Sequence, residues 1–147
     1  MAKEKTRRIL YRGRTLVTGD WEYGAYVRFR AVSGTVHDAI IQEYGKEHLM
    51  SEMYSIEPET LGEYTGFKDR NNKMIFEDDI ARCGNLIGVV KFGTHHDNIG
   101  FYFDFGPKNA AYNDGIIFWA THENENWIEV IGNIHDNPEL IRASDIG

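Results

Sequence analysis

Apolar and polar residues alternate with a period of two through much of this chain, in short runs separated by glycine, asparagine and aspartate. That period belongs to strands with one buried face, because successive side chains leave a strand on opposite sides. Trp21-Glu-Tyr-Gly-Ala-Tyr-Val-Arg-Phe29 sets Trp21, Tyr23, Ala25, Val27 and Phe29 on one face, where they are expected to pack. Gly24 inside the run predicts a bulge or the close approach of another backbone. Gly100-Phe-Tyr-Phe-Asp-Phe105 sets Phe101, Phe103 and Phe105 against Tyr102 and Asp104, the mark of a half-buried strand.

Other runs are read the same way. Ile9-Leu10-Tyr11 opens a first strand, and Gly13 with Thr18-Gly19-Asp20 signals turns. Residues Thr35 to Met50 have two readings. Thr35 with Asp38 three residues on can cap a helix that puts Val36, Ile40 and Tyr44 on one side. Alternatively Ala39–Glu43 is a strand, and this is the reading taken here, with Lys46–Met53 as a loop or helical turn. Leu61 to Ile80 is the centre of the chain: strand, polar Asp69-Arg70-Asn71-Asn72 turn, short apolar segment, second turn, and a strand from Ile80. Leu86–Phe92 carries an internal Gly88, Thr94–Asn98 and Gly106–Gly115 are loops, and Ile116–Trp119 and Trp127–Ile131 are the last strands. Asn137-Pro138-Glu139 predicts a short helix over Pro138–Ala143, with an N-cap, a proline at the first position and an early acid.

Five or so strands about 8–12 residues apart after Leu61 favour a small closed barrel over βαβ units. The expected fold is therefore mainly β (α+β at most). An N-terminal hairpin or meander subdomain with a basic arm covers 1–58, and a small barrel with a C-terminal helix covers 59–147.

Composition narrows the function classes. At 147 residues, 41% hydrophobic and 27% charged, the chain can bury a core without disulfides or metals. Cys83 is the single cysteine, which points to a reducing compartment. No apolar run is long enough to span a membrane, and Met1–Arg8 leads into no signal-peptide core. The net charge of −7 is uneven: Lys3, Lys5, Arg7, Arg8, Arg12 and Arg14 face only Glu4, a local +5 that leaves −12 on the remainder. An acidic body repels phosphate, which disfavours nucleic-acid binding over the whole surface. The arm could still touch a phosphate backbone through Arg7, Arg8, Arg12 and Arg14. The reading taken here is that it pairs with the acidic body, its own or a neighbour's.

Candidate chemistry is sparse. His95-His96-Asp97, His122-Glu123 with Glu125, and His135-Asp136 put imidazoles beside carboxylates in three late loops. Were the loops to meet, His95, His96, Asp97, His122 and His135 could supply ligands to a divalent metal of a hydrolase. Adjacent histidines on a loop usually diverge, and no H-x-H or H-x-x-x-H spacing occurs, so no metal site is expected. Cys83 has no evident base and reads as an idle thiol. Asp78 and Asp79 fall on opposite strand faces and make no acid/base dyad. No glycine loop precedes a helix with Lys-Ser/Thr, and no cofactor is expected.

The motifs also carry a resemblance. Arg8-Ile-Leu-Tyr-Arg-Gly with Trp21-Glu-Tyr-Gly, Glu59-Thr-Leu-Gly-Glu-Tyr-Thr-Gly-Phe-Lys-Asp, Ile75-Phe-Glu-Asp-Asp-Ile80, Gly88-Val-Val-Lys-Phe-Gly and Glu129-Val-Ile-Gly-Asn-Ile-His-Asp-Asn-Pro-Glu-Leu140 resemble the YopX family of phage and prophage proteins, in order over nearly the whole chain. The resemblance implies an SH3-type barrel in the C-terminal part and a setting in the bacterial host cytoplasm. It supplies no catalytic residue. It suggests a non-enzymatic accessory protein that binds an unidentified protein partner or itself as a homo-oligomer, with nucleic-acid binding through the arm as the alternative and a metal-dependent hydrolase third. Two departures are informative. The family has Asn-Gly where this chain has Asn71-Asn72, and Glu-Gly-Asp where it has Glu77-Asp78-Asp79. Asn and Asp tolerate a left-handed backbone best after glycine, which predicts positive φ at Asn72 and Asp78.

Overall fold

The computed structural model describes residues 8–42, 52–95, 98–107 and 127–141, without the side chains of His95 and Asn98. Ten strands account for most of it: β1 (Tyr11–Arg14), β2 (Trp21–Arg30), β3 (Val36–Gln42), β4 (Glu52–Ser55), β5 (Gly62–Lys68), β6 (Met74–Phe76), β7 (Asp79–Cys83), β8 (Leu86–His95), β9 (Asn98–Asp104) and β10 (Ile128–Asn133). Short 3-10 turns lie at Pro58–Thr60 and Pro138–Ile141. The protein is thus mainly β, and its sheets are antiparallel. No helix among the described residues is long and apolar enough to cross a membrane. The chain divides into two units, Met1–Tyr64 and Thr65–Gly147, with β5 crossing the division.

In the first unit, β4, β3, β2, β1 and the start of β5 lie side by side in that order. The helix considered from Thr35 does not form: β3 starts at Val36 and pairs along β2 from Arg30↔Val36 to Ala25↔Ile41. Its branched residues bury well on a pleat, with Ala39 and Ile40 fully buried. β4 begins at Glu52, inside the stretch expected to be a loop. Gly24 answers to the close approach foreseen for it, since a Cβ there would lie 2.1 Å from the Ile41 carbonyl oxygen. The expected packed face of β2 needs correction at Tyr23, which is 39% exposed, and at Ala25, which is exposed as well. The buried position in that half of the strand is Gly24 itself, where the neighbouring backbone closes in.

In the second unit a four-stranded sheet runs β10-β7-β8-β9. Its core is Ile75, Ala81, Val90, Phe103, Phe105, Ile128 and Val130, with Phe67, Cys83, Leu86 and Phe101 packed against it. Alternation put Phe101, Phe103 and Phe105 on one face, and Phe103 and Phe105 are fully buried there. Gly88 makes room for this, since a Cβ would lie 2.7 Å from the Phe105 ring. Closure into an SH3-type barrel goes beyond these pairings. The expected strand Ile116–Trp119 lies outside the described residues, as do Arg142 and Ala143 of the C-terminal helix, which is a 3-10 turn over Pro138–Ile141.

Candidate functional site

The Asp69–Asn72 turn is fastened to strand β10, and this creates the most distinctive surface of the second unit. Asp69 is 4% exposed. Its Oδ1 accepts the Asn71 and Lys73 N–H groups (2.8 and 2.9 Å), and its Oδ2 accepts the Val130 N–H at 2.9 Å. The Arg70 N–H donates to the Ile128 carbonyl at 2.9 Å. Asn72 closes the turn at φ 64° and Asp78 closes the next at φ 71°, both positive as expected from glycine's replacement. The anchored turn holds Arg70 against the outer side of β10.

Across β10 lies β7, with Arg82 opposite Glu129. Ala81 and Ile128 point into the core, so alternation turns Arg82 and Glu129 outward. Trp127, two residues before Glu129, shares that outward side and is 57% exposed. Arg70, Arg82, Gly84, Trp127 and Glu129 line a cleft of about 230 Å³. The Arg82–Glu129 ion pair is loose, 3.8 Å between half-exposed partners. Sequence reasoning missed this grouping, because it depends on a pairing between segments about 45 residues apart. Asp69 ahead of a left-handed Asn was the one local signal of a pinned turn.

Most of the candidate metal ligands of the histidine loops lie outside the described side chains. Among them only the His135 side chain is described, since His96, Asp97 and His122 lie outside the described residues and His95 is described in its backbone alone. His135 Nε2 meets Asp78 Oδ2 at 3.0 Å. The surrounding motif is a backbone clamp. Asn133 Oδ1 accepts the His135 and Asp136 N–H groups (3.0 and 2.9 Å), and the Asn133 N–H donates to Asn137 Oδ1 at 3.2 Å. Gly132 is required beneath it, since a Cβ would lie 2.5 Å from Asn137 Oδ1. Asp79 turns the other way and accepts the Phe76 N–H at 2.8 Å, so the two acids have separate partners. No group of three metal-ligating side chains occurs among the described residues. Burial pushes the Cys83 thiol above its ordinary pKa, which disfavours the thiolate.

The arginines of the arm have different fates. Arg7 lies outside the described residues, and Arg8 is exposed beside a shallow hollow lined with Tyr23 and Gln42. Arg12 is 5% exposed, its guanidinium 4.7 Å from the Trp21 ring centre. The β1–β2 register explains this, because Arg14↔Trp21 and Arg12↔Tyr23 make Arg12 and Trp21 diagonal neighbours. Arg14 donates to Glu57 Oε2 from both Nε (3.1 Å) and Nη2 (2.8 Å). Arg12 and Arg14 therefore hold the first unit together.

The crystal structure of protein EF1440 from Enterococcus faecalis is similar at a TM-score of 0.48 and 19% identity, over 92% of this chain and 99% of that one. No curated protein matches the chain. A family model described as YopX protein matches residues 10–142. With a match from Leu10 to Arg142, the chain belongs to the YopX family.

Proposed function

We propose that this protein is a non-enzymatic accessory protein of phages and prophages, working in the bacterial host cytoplasm as a module that binds a partner protein or a second copy of itself. The observation that carries the reading is the outer end of the β8–β9 face. Val90↔Phe103 and Phe92↔Phe101 are cross-strand pairs, so Phe92 and Phe101 continue the side of the sheet that Val90 and Phe103 bury. Phe92 is nevertheless 53% exposed and Ile99 75% exposed, with the Phe92 and Phe101 rings 5.0 Å apart edge to face. A contiguous apolar strip beyond the core marks an interaction surface. Polar side chains elsewhere in the second unit hold structure: Asp69, Asp79 and Asn133 cap backbone N–H groups, and Asp78 takes His135.

Sedimentation of the wild-type protein and of the Phe92→Asp/Ile99→Asp variant at micromolar concentration tests this, together with affinity capture from host extract. Self-association, or a specific captured protein, is expected for the wild type and is expected to be lost in the variant. A wild-type monomer that captures no specific protein would sink the reading.

A further inference from the structure

A second surface supports a different ligand. We infer that the cleft between the Asp69–Asn72 turn and the β7–β10 pair binds single-stranded nucleic acid, with one base stacked on Trp127 and flanking phosphates held by Arg70 and Arg82. This goes beyond the protein-binding reading and rests on other residues. Three observations meet here. The first is charge. The turn presents Lys68, Arg70 and Lys73 exposed, while its only acid, Asp69, is buried and spent on backbone N–H groups. Arg82 adds a cation to the cleft, where Glu129 is the one carboxylate among the described lining residues. In a chain of net charge −7, cations outnumber acids among the described residues of the turn and cleft, and this suits a polyanion.

The second is the indole. Trp127 is 57% exposed and lines the same cleft of about 230 Å³ as Arg70 and Arg82. An exposed ring of that size has a flat face for a base, and stacking accepts any base. The third is rigidity. Arg70 is placed by its own N–H bond to Ile128 and by the buried Asp69, while Arg82 is placed by the β7–β10 register. The Arg82–Glu129 pair is loose and half exposed, so exchanging the carboxylate for a phosphate costs little. An acidic peptide would satisfy the guanidiniums but leave the indole uncovered, and duplex DNA keeps its bases stacked away from it.

The test is fluorescence anisotropy of the full-length protein with a labelled oligothymidylate, at several salt concentrations. Two phosphate contacts on a single strand predict a log–log salt slope of about −1.4, and Arg70→Ala or Arg82→Ala should each reduce its size by about 0.7. Trp127→Ala should weaken binding about tenfold, while Trp127→Phe should stay within about threefold of wild type. Unchanged thermal melting of the variants shows that they are folded. Absence of binding at low salt overturns the proposal, as does a Trp127→Ala variant that binds like wild type. Polyglutamate displacing the oligonucleotide at equal charge would reassign the cleft to acidic peptides and also overturn it. The Phe92→Asp/Ile99→Asp variant should bind the oligonucleotide normally, so either reading can fail alone.

Discussion

At the scale of single residues, stability in the second unit is concentrated in side chains that replace missing backbone partners. Asp69 is the strongest case, with one buried carboxylate serving three N–H groups from two distant segments. Bonds to a charged acceptor contribute more than neutral ones, and Asp69→Ala would leave those donors without it. The variant is expected to lose about 3 kcal/mol or more in urea unfolding. A loss under about 1 kcal/mol would show that water takes over the acceptor role. Asp78 combines two effects of opposite sign. Its φ of 71° is strained for any residue with a Cβ, yet its carboxylate meets His135. Asp78→Ala keeps the strain without aspartate's tolerance and loses the bond, an expected cost of about 2–3 kcal/mol. Asp78→Gly loses the bond but relieves the strain, and should fall within about 1 kcal/mol of wild type. Equal destabilisation by both would show that the His135 contact alone sets the effect.

At the scale of elements, close approach decides which strands pair and how tightly. Gly24 and Gly88 sit where a methyl group would strike a neighbour, but the neighbours differ. At Gly24 it is the Ile41 carbonyl, which cannot move without breaking the β2–β3 ladder; at Gly88 it is the Phe105 ring. Gly24→Ala is therefore expected to be the more damaging, by about 3 kcal/mol or more, while Gly88→Ala should cost about 1–3 kcal/mol as the core repacks. Urea midpoints would check the order, and a milder effect at Gly24 would contradict the close approach. Gly24 was legible in the sequence because a glycine interrupts an otherwise alternating aromatic strand. So were β5 to β9, whose turns carry Asn, Asp and Gly between apolar runs. β4 was not, because Glu52-Met-Tyr-Ser55 has no alternation and owes its extended shape to pairing with β3. The same reason hid the cleft: Arg70, Arg82 and Trp127 are ordinary surface residues until β10 pairs with β7 and the Asp69 turn docks on it.

For the whole molecule, the titrating groups among the described residues whose pKa values shift all move the same way. The Tyr26 phenol donates to Asp38 Oδ1, and that bond, then burial, raises its pKa above 10. Burial alone raises Tyr64 and Cys83, and the 2.6 Å bond to Asp104 is the main cause that raises Lys91. A pKa higher in the folded than in the unfolded chain means that folding favours the protonated form. The stabilisation is then complete below the unfolded value and is lost as pH rises through the folded one. Cys83 begins to lose its contribution above about pH 8.5 and the tyrosines and Lys91 above about pH 10. Thermal melting is therefore expected to be level from neutral pH to about 8.5, and then to fall steadily towards pH 11. The Lys91 share should be small, because its side chain is 46% exposed and salt screens the charge. Tyr26→Phe removes both the bond and its titration, so this variant should start lower at neutral pH and decline less steeply above about pH 10. Parallel curves for the two proteins would mean that the alkaline loss comes from general repulsion in a chain already at −7, with no special part for the Tyr26–Asp38 pair.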